Sequence, residues 1–365
     1  MQENPLYLTE QIITYIGNKR TLLSFIGKAV EQVRLSLNKD KLDIVDIFSG
    51  SGIVSRYMKQ YANVLYANDL EGYAETINHC YLSSAPNRDA FEEEYLLIKH
   101  KLNTEPLRKG FISELYCPQD DNNIKAQERV FYTQRNGQYI DTTRQLIDEL
   151  KVPDSIKPFI LAPLLYEASV HTNTAGIFKG FYKDTDTGIG KFGGKGENAL
   201  TRIKGNIELQ RPIFSNFDCE VHISRKDANE LAKVLPKTDL VYLDPPYNQH
   251  PYGSNYFMLN LINDYQKPTN ISKVSGIPNN WNRSVFNKKA KIKDSLGKLC
   301  ATLDTHYLLI SFSDDGFISV DDMVSLLSEI GKVSVFDKEY NTFRGCRNLQ
   351  DRDVHVKEYL YLVKK

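Results

Sequence analysis

Residues 43–69 constrain this chain most. Residues 43–48 (DIVDIF) are a short, β-rich apolar run. Ser49-Gly50-Ser51-Gly52 follows, then a helical stretch over 53–61, then a second strand over 64–67 that ends in Asn68-Asp69. Strand, glycine turn, helix, strand and acid make one βαβ unit, the building block of an open parallel sheet.

The rest of the chain extends that unit. Helical spacing of Leu22, Leu23, Phe25, Ile26, Val30 and Val33 predicts a helix over 20–37. From about Cys80 to Phe217 the pattern turns helical (89–102, 142–150, 157–170), with polar stretches and Gly/Lys clusters between. Strand-like runs resume at 221–224, 240–243, 307–312, 333–336 and 359–363. We therefore expect an α/β catalytic domain over 1–80 and 216–365, interrupted by a largely helical unit over 81–215. A chain of 365 residues can bury the core that two such units need.

Asp244-Pro245-Pro246-Tyr247 follows the apolar run 239–243, at the point where a buried strand gives way to a loop. Ligands of open α/β sheets bind at that carboxyl edge. Two prolines cannot continue a sheet, and they stiffen the turn. A stiff turn is a good mount for a carboxylate, a carbonyl and a ring around one flat group; it is also an ordinary way to end a strand.

At the first βα turn, Gly50 and Gly52 allow a ligand to approach the backbone closely. The helix N-terminus beyond favours an anionic group. Asp69, 17 residues past Gly52, stands where an acid binds ribose hydroxyls. Together these indicate an adenosine-type cofactor, with NAD as the rival. The NAD pattern G-x-G-x-x-G requires a third glycine where this chain has Ser55. Tyr15-Ile16-Gly17-Asn18-Lys19 precedes the first helix, and Asp227 is placed to cap a helix over 228–234.

Basic and acidic side chains balance, 46 against 46, which weighs against a nucleic-acid partner unless the basic ones are segregated. They are. Residues 266–298 carry Lys267, Lys273, Arg283, Lys288, Lys289, Lys291, Lys293 and Lys298 against Asp294 alone, net +7, with Trp281 and Phe286 interleaved. The cysteines (Cys80, Cys117, Cys219, Cys300, Cys346) form no CxxC, so free thiols in a reducing cytoplasm are expected. Nothing reads as a membrane span or a secretion signal, and no His cluster suggests a metal.

Y-x-G-x-K, then D-x-F-x-G-x-G, an acid after the next strand, a long insert and finally DPPY resembles, over nearly the whole chain, the Dam-like adenine-N6 DNA methyltransferases. The resemblance implies a Rossmann-like class I fold that uses S-adenosylmethionine. It places Tyr15, Gly17 and Lys19 at the cofactor, with Asp46 and Phe48–Gly52 (Phe48, Ser49, Gly50, Ser51, Gly52) around its methionine part. Asp69 would hold its ribose and Asp227 its adenine amine. Gly17-Asn18 departs from the family's Gly-Gly.

Adenine's exocyclic amine is a weak nucleophile because its lone pair is delocalised into the ring. Asp244 and the Pro245 carbonyl, by accepting its N–H bonds, would localise that pair toward the sulfonium methyl, while Tyr247 stacks on the base. A base inside a duplex cannot be reached, so it must flip out. Tyr256 and Phe257, nine and ten residues past Tyr247, are candidates for the pocket that receives it, or for the core.

Asn173, Gly176 and Phe178 match the family's Asn-x-x-Gly-x-Phe string, which leads into a DNA-contacting hairpin. Gly188 to Gly196, with Lys183, Lys191 and Lys195, then suits phosphate contact; its spacing rejects a nucleoside-triphosphate loop. Expected DNA contacts are thus Asn173, Lys179, Lys183, Lys191, Lys195, Tyr256, Arg283, Lys288 and Lys289. Arg344 and Arg347, in a tail resembling a late hairpin of restriction-associated members, are further candidates. Duplex DNA is the expected partner. A cognate restriction endonuclease would act on the same site without a stable complex, and the chain would be a monomer or weak dimer. Cytosine-N4 methylation (more often with Ser in place of Asp244), RNA or protein-glutamine methylation, and an inactive DNA-binding module are the other readings of the same motifs.

Overall fold

The computed structural model describes residues 2–84, 90–193, 197, 199–341 and 355–365. Helix α1 (Leu23–Leu37) buries Leu23, Ile26, Val30 and Val33 along one face and stops at Asn38, whose φ of +51° is left-handed. Strand β1 (Leu42–Asp46), α2 (Ile53–Met58) and β2 (Ala62–Asp69) are the expected βαβ unit. Helices α3 (Gly72–Tyr81), α4 (Glu92–Thr104), α5 (Phe111–Tyr116), α6 (Gln134–Glu149), α7 (Lys157–Val170) and α8 (Leu200–Lys204) come next. The chain then returns to the sheet with β3 (Glu220–Arg225), α9 (Ala228–Ala232) and β4 (Thr238–Leu243). Helices α10 (Tyr252–Asn255), α11 (Phe257–Asp264) and α12 (Ile292–Thr302) lead to β5 (Thr305–Ser313), α13 (Val320–Ser328), β6 (Lys332–Asn341) and β7 (His355–Lys364).

The seven strands form one sheet in the order β3-β2-β1-β4-β5-β7-β6. The first five run parallel, and β7 lies antiparallel between β5 and β6. Each expected strand is present. β4 is buried at every position, as a central parallel strand covered on both faces must be. Its side chains alternate. Leu240 and Tyr242 pack with α1 and α2, whereas Val241 and Leu243 pack with α9, α12 and α13.

The helices inserted after β2 do not stand apart. Ile160 and Leu164 of α7 share one apolar cluster with Tyr73 and Ile77 of α3 and with Met258 and Ile262 of α11. One helix departs from expectation: α6 begins at Gln134, eight residues before the expected start. Its first turns are polar and include Gly137, which suggests a loop. Thr133 caps them by accepting from the Asn136 N–H. Gly137 is there because a Cβ would lie 2.3 Å from Cys117 Sγ.

Candidate active site

Strand order reverses between β1 and β4, which makes their carboxyl ends the topological switch point of the sheet. A cleft opens there, with about 870 Å³ of empty space including its mouth. That suits a ligand-sized molecule, for which pockets run roughly 300–1,000 Å³. It brings together Tyr15, Gly17, Lys19, Asp46, Phe48, Ser49, Gly50, Ser51, Asp69, Asp227, Asp244 and Pro246. Gly52, Pro245 and Tyr247 are not among its lining.

The glycine turn is held by its neighbours. Asp69 accepts from the Gly50 N–H (2.8 Å) through one carboxylate oxygen and from the Glu71 N–H (2.9 Å) through the other. Gly50 has φ +49°, and a Cβ there would meet the Tyr15 ring at 2.8 Å. Gly52, at φ +75°, leaves room for Asn78 behind the turn rather than for a ligand. Asp46 is buried; one oxygen takes the Ser55 hydroxyl (2.6 Å) and the other has no hydrogen-bond partner among the described residues. Burial pushes its carboxyl up to about 7.

Residues 15–19 reach the cleft because Arg56 of α2 anchors the segment before them, donating to the carbonyls of Tyr7 (3.1 Å), Glu10 (3.3 Å) and Gln11 (2.9 Å). The Tyr15 ring stacks on Tyr256 (4.7 Å) and Tyr252 (5.0 Å). The same two tyrosines grip the next residue: Tyr256 Oη accepts from Ile16 N (2.7 Å), and Tyr252 Oη donates to Ile16 O (3.1 Å). Tyr256 is fully buried, which corrects the expectation that it contacts DNA; it packs on Tyr15 and holds Ile16 at the cleft.

Asp244 is 18% exposed, and its Oδ1 lies 3.0 Å from Nζ of Lys19, which is only 2% exposed. Burial raises the Asp244 carboxyl, and the Lys19 ammonium opposes that rise. Lys19 also lies 3.4 Å from Glu358 of β7. Tyr247 is buried with its ring against Phe312 (5.6 Å), so in this arrangement it is not presented to a base.

Asp227 both caps α9, accepting from Asn229 N and Glu230 N, and lines the cleft. Sequence reasoning missed Glu71, Tyr252, Asn282 and Glu358. Glu71 is buried two residues past Asp69 and accepts from Asn260 (2.6 Å) and Asn282 (3.1 Å). Asn282, Ser284, Phe286 and Asn287, all from the basic segment, form a wall of the cleft. Phe286 packs edge-on against Phe48 (5.0 Å) instead of facing outward. Glu358 had one visible signal: it is the lone acid of the last strand.

The expected DNA contacts divide. Asn173 is wholly buried; it donates to Val130 O and Lys191 O and accepts from Gly193 N. It fastens the base of a hairpin bridged at Lys183 and Gly190, so a DNA contact gives way to a structural role. Lys179 and Lys191 are exposed, Lys183 is half-buried, and Lys191 lies 3.5 Å from Glu197. Arg283 is exposed over the Trp281 ring (4.2 Å), and Lys288 and Lys289 are exposed beside the cleft wall. Lys195, Arg344 and Arg347 lie outside the described residues. No helix among the described residues is long and apolar enough to cross a membrane.

A parallel sheet with a reversed β7, a glycine turn closing β1 and DPPY closing β4 define a Rossmann-like class I methyltransferase. The D12 class N6 adenine-specific DNA methyltransferases match residues 15–326, and the chain belongs to that family. It is 28% identical to the type II methyltransferase M.NlaIII of Neisseria lactamica, covering 97% of this chain and 99% of that one. It is also 28% identical to M.CviAII of Paramecium bursaria Chlorella virus 1 (96% and 98%). M.FokI of Planomicrobium okeanokoites is 23% identical, with 96% of this chain matching 52% of that protein. The chain is thus an adenine-specific DNA methyltransferase.

Proposed function

We propose that the cleft holds S-adenosylmethionine beside an adenine flipped out of duplex DNA, and that Asp244 and the Pro245 carbonyl accept the hydrogens of its N6 amine. The observation that carries this reading is the meeting of Asp244 with the glycine turn and Asp69 in one cleft at the sheet's switch point. The unpartnered Asp46 oxygen and the acids Asp69 and Asp227 suit a cofactor with an ammonium, a ribose and an adenine amine. When bound, the cofactor supplies a methyl group on a cationic sulfur.

The chain's own part is positioning and electrostatics. Asp244, kept ionised by Lys19, draws the amine's N–H and localises its lone pair. As the new N–C bond formed and the sulfonium's S–CH3 bond broke, its electron pair staying on sulfur, the nitrogen's surplus proton would pass to the Asp244 carboxylate. Residues 81–215 act as the target-recognition region, and Lys288 and Lys289 contact phosphates. The type II relatives suggest a cognate restriction endonuclease acting on the same site in the cytoplasm, without a stable complex.

Incubation with labelled S-adenosylmethionine and unmethylated genomic DNA, followed by nucleoside analysis, tests the reading. Label is expected in N6-methyladenine; label in 4-methylcytosine, in RNA, or nowhere overturns it. D244A is expected to abolish transfer while cofactor binding, followed by calorimetry, persists. Unchanged turnover removes Asp244 from its role.

A further inference from the structure

Lys19 Nζ donates to the Gly17 carbonyl at 3.3 Å and lies at ion-pair distance from two carboxylates, Asp244 Oδ1 at 3.0 Å and Glu358 Oε1 at 3.4 Å. The ammonium is thus held between the two carboxylates. Glu358 is completely buried in β7, and its Oε1 also accepts from the Ser311 hydroxyl of β5. A buried carboxylate is costly unless it has a purpose or a partner; this one lies beside the ammonium that also pairs with Asp244 of the DPPY loop. Oδ1 is the Asp244 oxygen paired with Lys19, and Asp244, 18% exposed, lines the cleft.

We infer that Glu358 is a positioning residue: it holds Lys19 so that Asp244 keeps Oδ1 engaged and offers Oδ2 to the substrate amine. This rests on the amine-accepting role given to Asp244 above. Lys19 alone would neutralise Asp244 as a simple pair. With Glu358, the charges of Lys19, Asp244 and Glu358 sum to one negative charge where positive charge passes to the amine nitrogen. Among the described residues, Tyr242 of β4, Tyr247 of the DPPY loop, Tyr252 of α10 and Asp46 of β1 are the other titratable groups facing the cluster. None of them replaces the Glu358 anion beside Lys19.

The test is E358Q, which keeps the shape and removes the charge. The value of kcat on genomic DNA is expected to fall severalfold or more, because a charge aimed at the developing positive nitrogen is lost, with KM for DNA and cofactor affinity unchanged. Both limbs of the pH–rate profile should move to lower pH. Without the Glu358 anion, Asp244 ionises at lower pH and Lys19 releases its proton sooner. The Asp244 carboxylate, followed by carbon-13 NMR with D244N as the assignment control, should titrate at lower pH even without turnover. That readout separates this inference from the substrate assignment: a native chain that makes no N6-methyladenine defeats the assignment, while the titration still decides Glu358. If E358Q does not fold, S311A loosens Glu358 while keeping its charge, and should lower kcat severalfold with both limbs in place. A lower melting point with unchanged kcat, limbs and titration in E358Q, or an unchanged kcat in S311A, overturns the inference.

Discussion

Tyr256→Phe separates a positioning role from a DNA-contacting one. The substitution keeps the ring that stacks on Tyr15 at 4.7 Å and removes only the oxygen that accepts from Ile16 N at 2.7 Å. Tyr256 is fully buried, so water does not replace that oxygen without rearrangement. Leaving a buried donor without a partner costs about 1–3 kcal/mol. At roughly 2.1 cal/mol/K per residue, 365 residues have an unfolding entropy near 0.8 kcal/mol/K, so the melting temperature should fall about 1–4 °C. Scanning calorimetry measures this directly. Because Ile16, Gly17 and Lys19 line the cleft, cofactor affinity should fall as well. DNA affinity measured without cofactor should not change. If Tyr256 instead stacked on a base, phenylalanine would serve equally well, and the melting temperature would stay at the native value. An unshifted melting temperature and unchanged cofactor affinity would refute the clamp.

Two further perturbations test the cleft and its rim. Burial pushes the Glu71 carboxyl from its ordinary 4.5 up to about 7, so the folded chain keeps a proton that the unfolded chain releases between those values. The stability this group contributes is full below 4.5 and is lost as pH rises through about 7. E71Q, neutral throughout, should therefore gain stability over the native chain above pH 7, by at most about 3 kcal/mol on linkage grounds, with the gain shrinking toward pH 5; melting temperature against pH reports it, and a gain that grows toward acid contradicts it. The double reversal K288E/K289E should weaken DNA binding with cofactor affinity intact. It should reduce the slope of log affinity against log salt by roughly 2, at about 0.9 per phosphate contact; an unaltered slope removes both lysines from the DNA surface.

The sheet was legible because its central strands are buried on both faces and so appear as unbroken apolar runs. The cleft's two main loops were legible for a related reason. A glycine turn and a DPPY turn are continuous in sequence, and each follows such a run. What could not be read was which side chains those loops would face. Glu358 becomes meaningful only when β7 inserts beside β5 and brings its carboxylate to Lys19. Asn173 and Tyr256 were assigned by their neighbours in sequence, yet their partners are backbone groups of distant segments, Val130 and Lys191 for one and Ile16 for the other. Local pattern identifies residue type and element; it does not identify the buried polar group across the fold that must be satisfied.

The same satisfied groups explain how a chain of zero net charge can both hold a cofactor and attract DNA. The +7 stretch over 266–298 is not an appendage. Asn282 donates to the Leu70 carbonyl (3.2 Å) and to Glu71 (3.1 Å), at the end of β2. Asn287 donates to the Asn248 carbonyl (2.8 Å), one residue past DPPY. Phe286 lies between them, against Phe48 of the glycine turn. The next two residues are Lys288 and Lys289, which face solvent. The exposed lysines and the cleft wall are thus consecutive residues of one strap, tied at one end to Leu70 and Glu71 past β2 and at the other to Asn248 past DPPY. Segregating the basic residues here concentrates positive charge beside the cleft, while acids elsewhere balance the total, and K288E/K289E tests whether that charge serves the DNA contact proposed above.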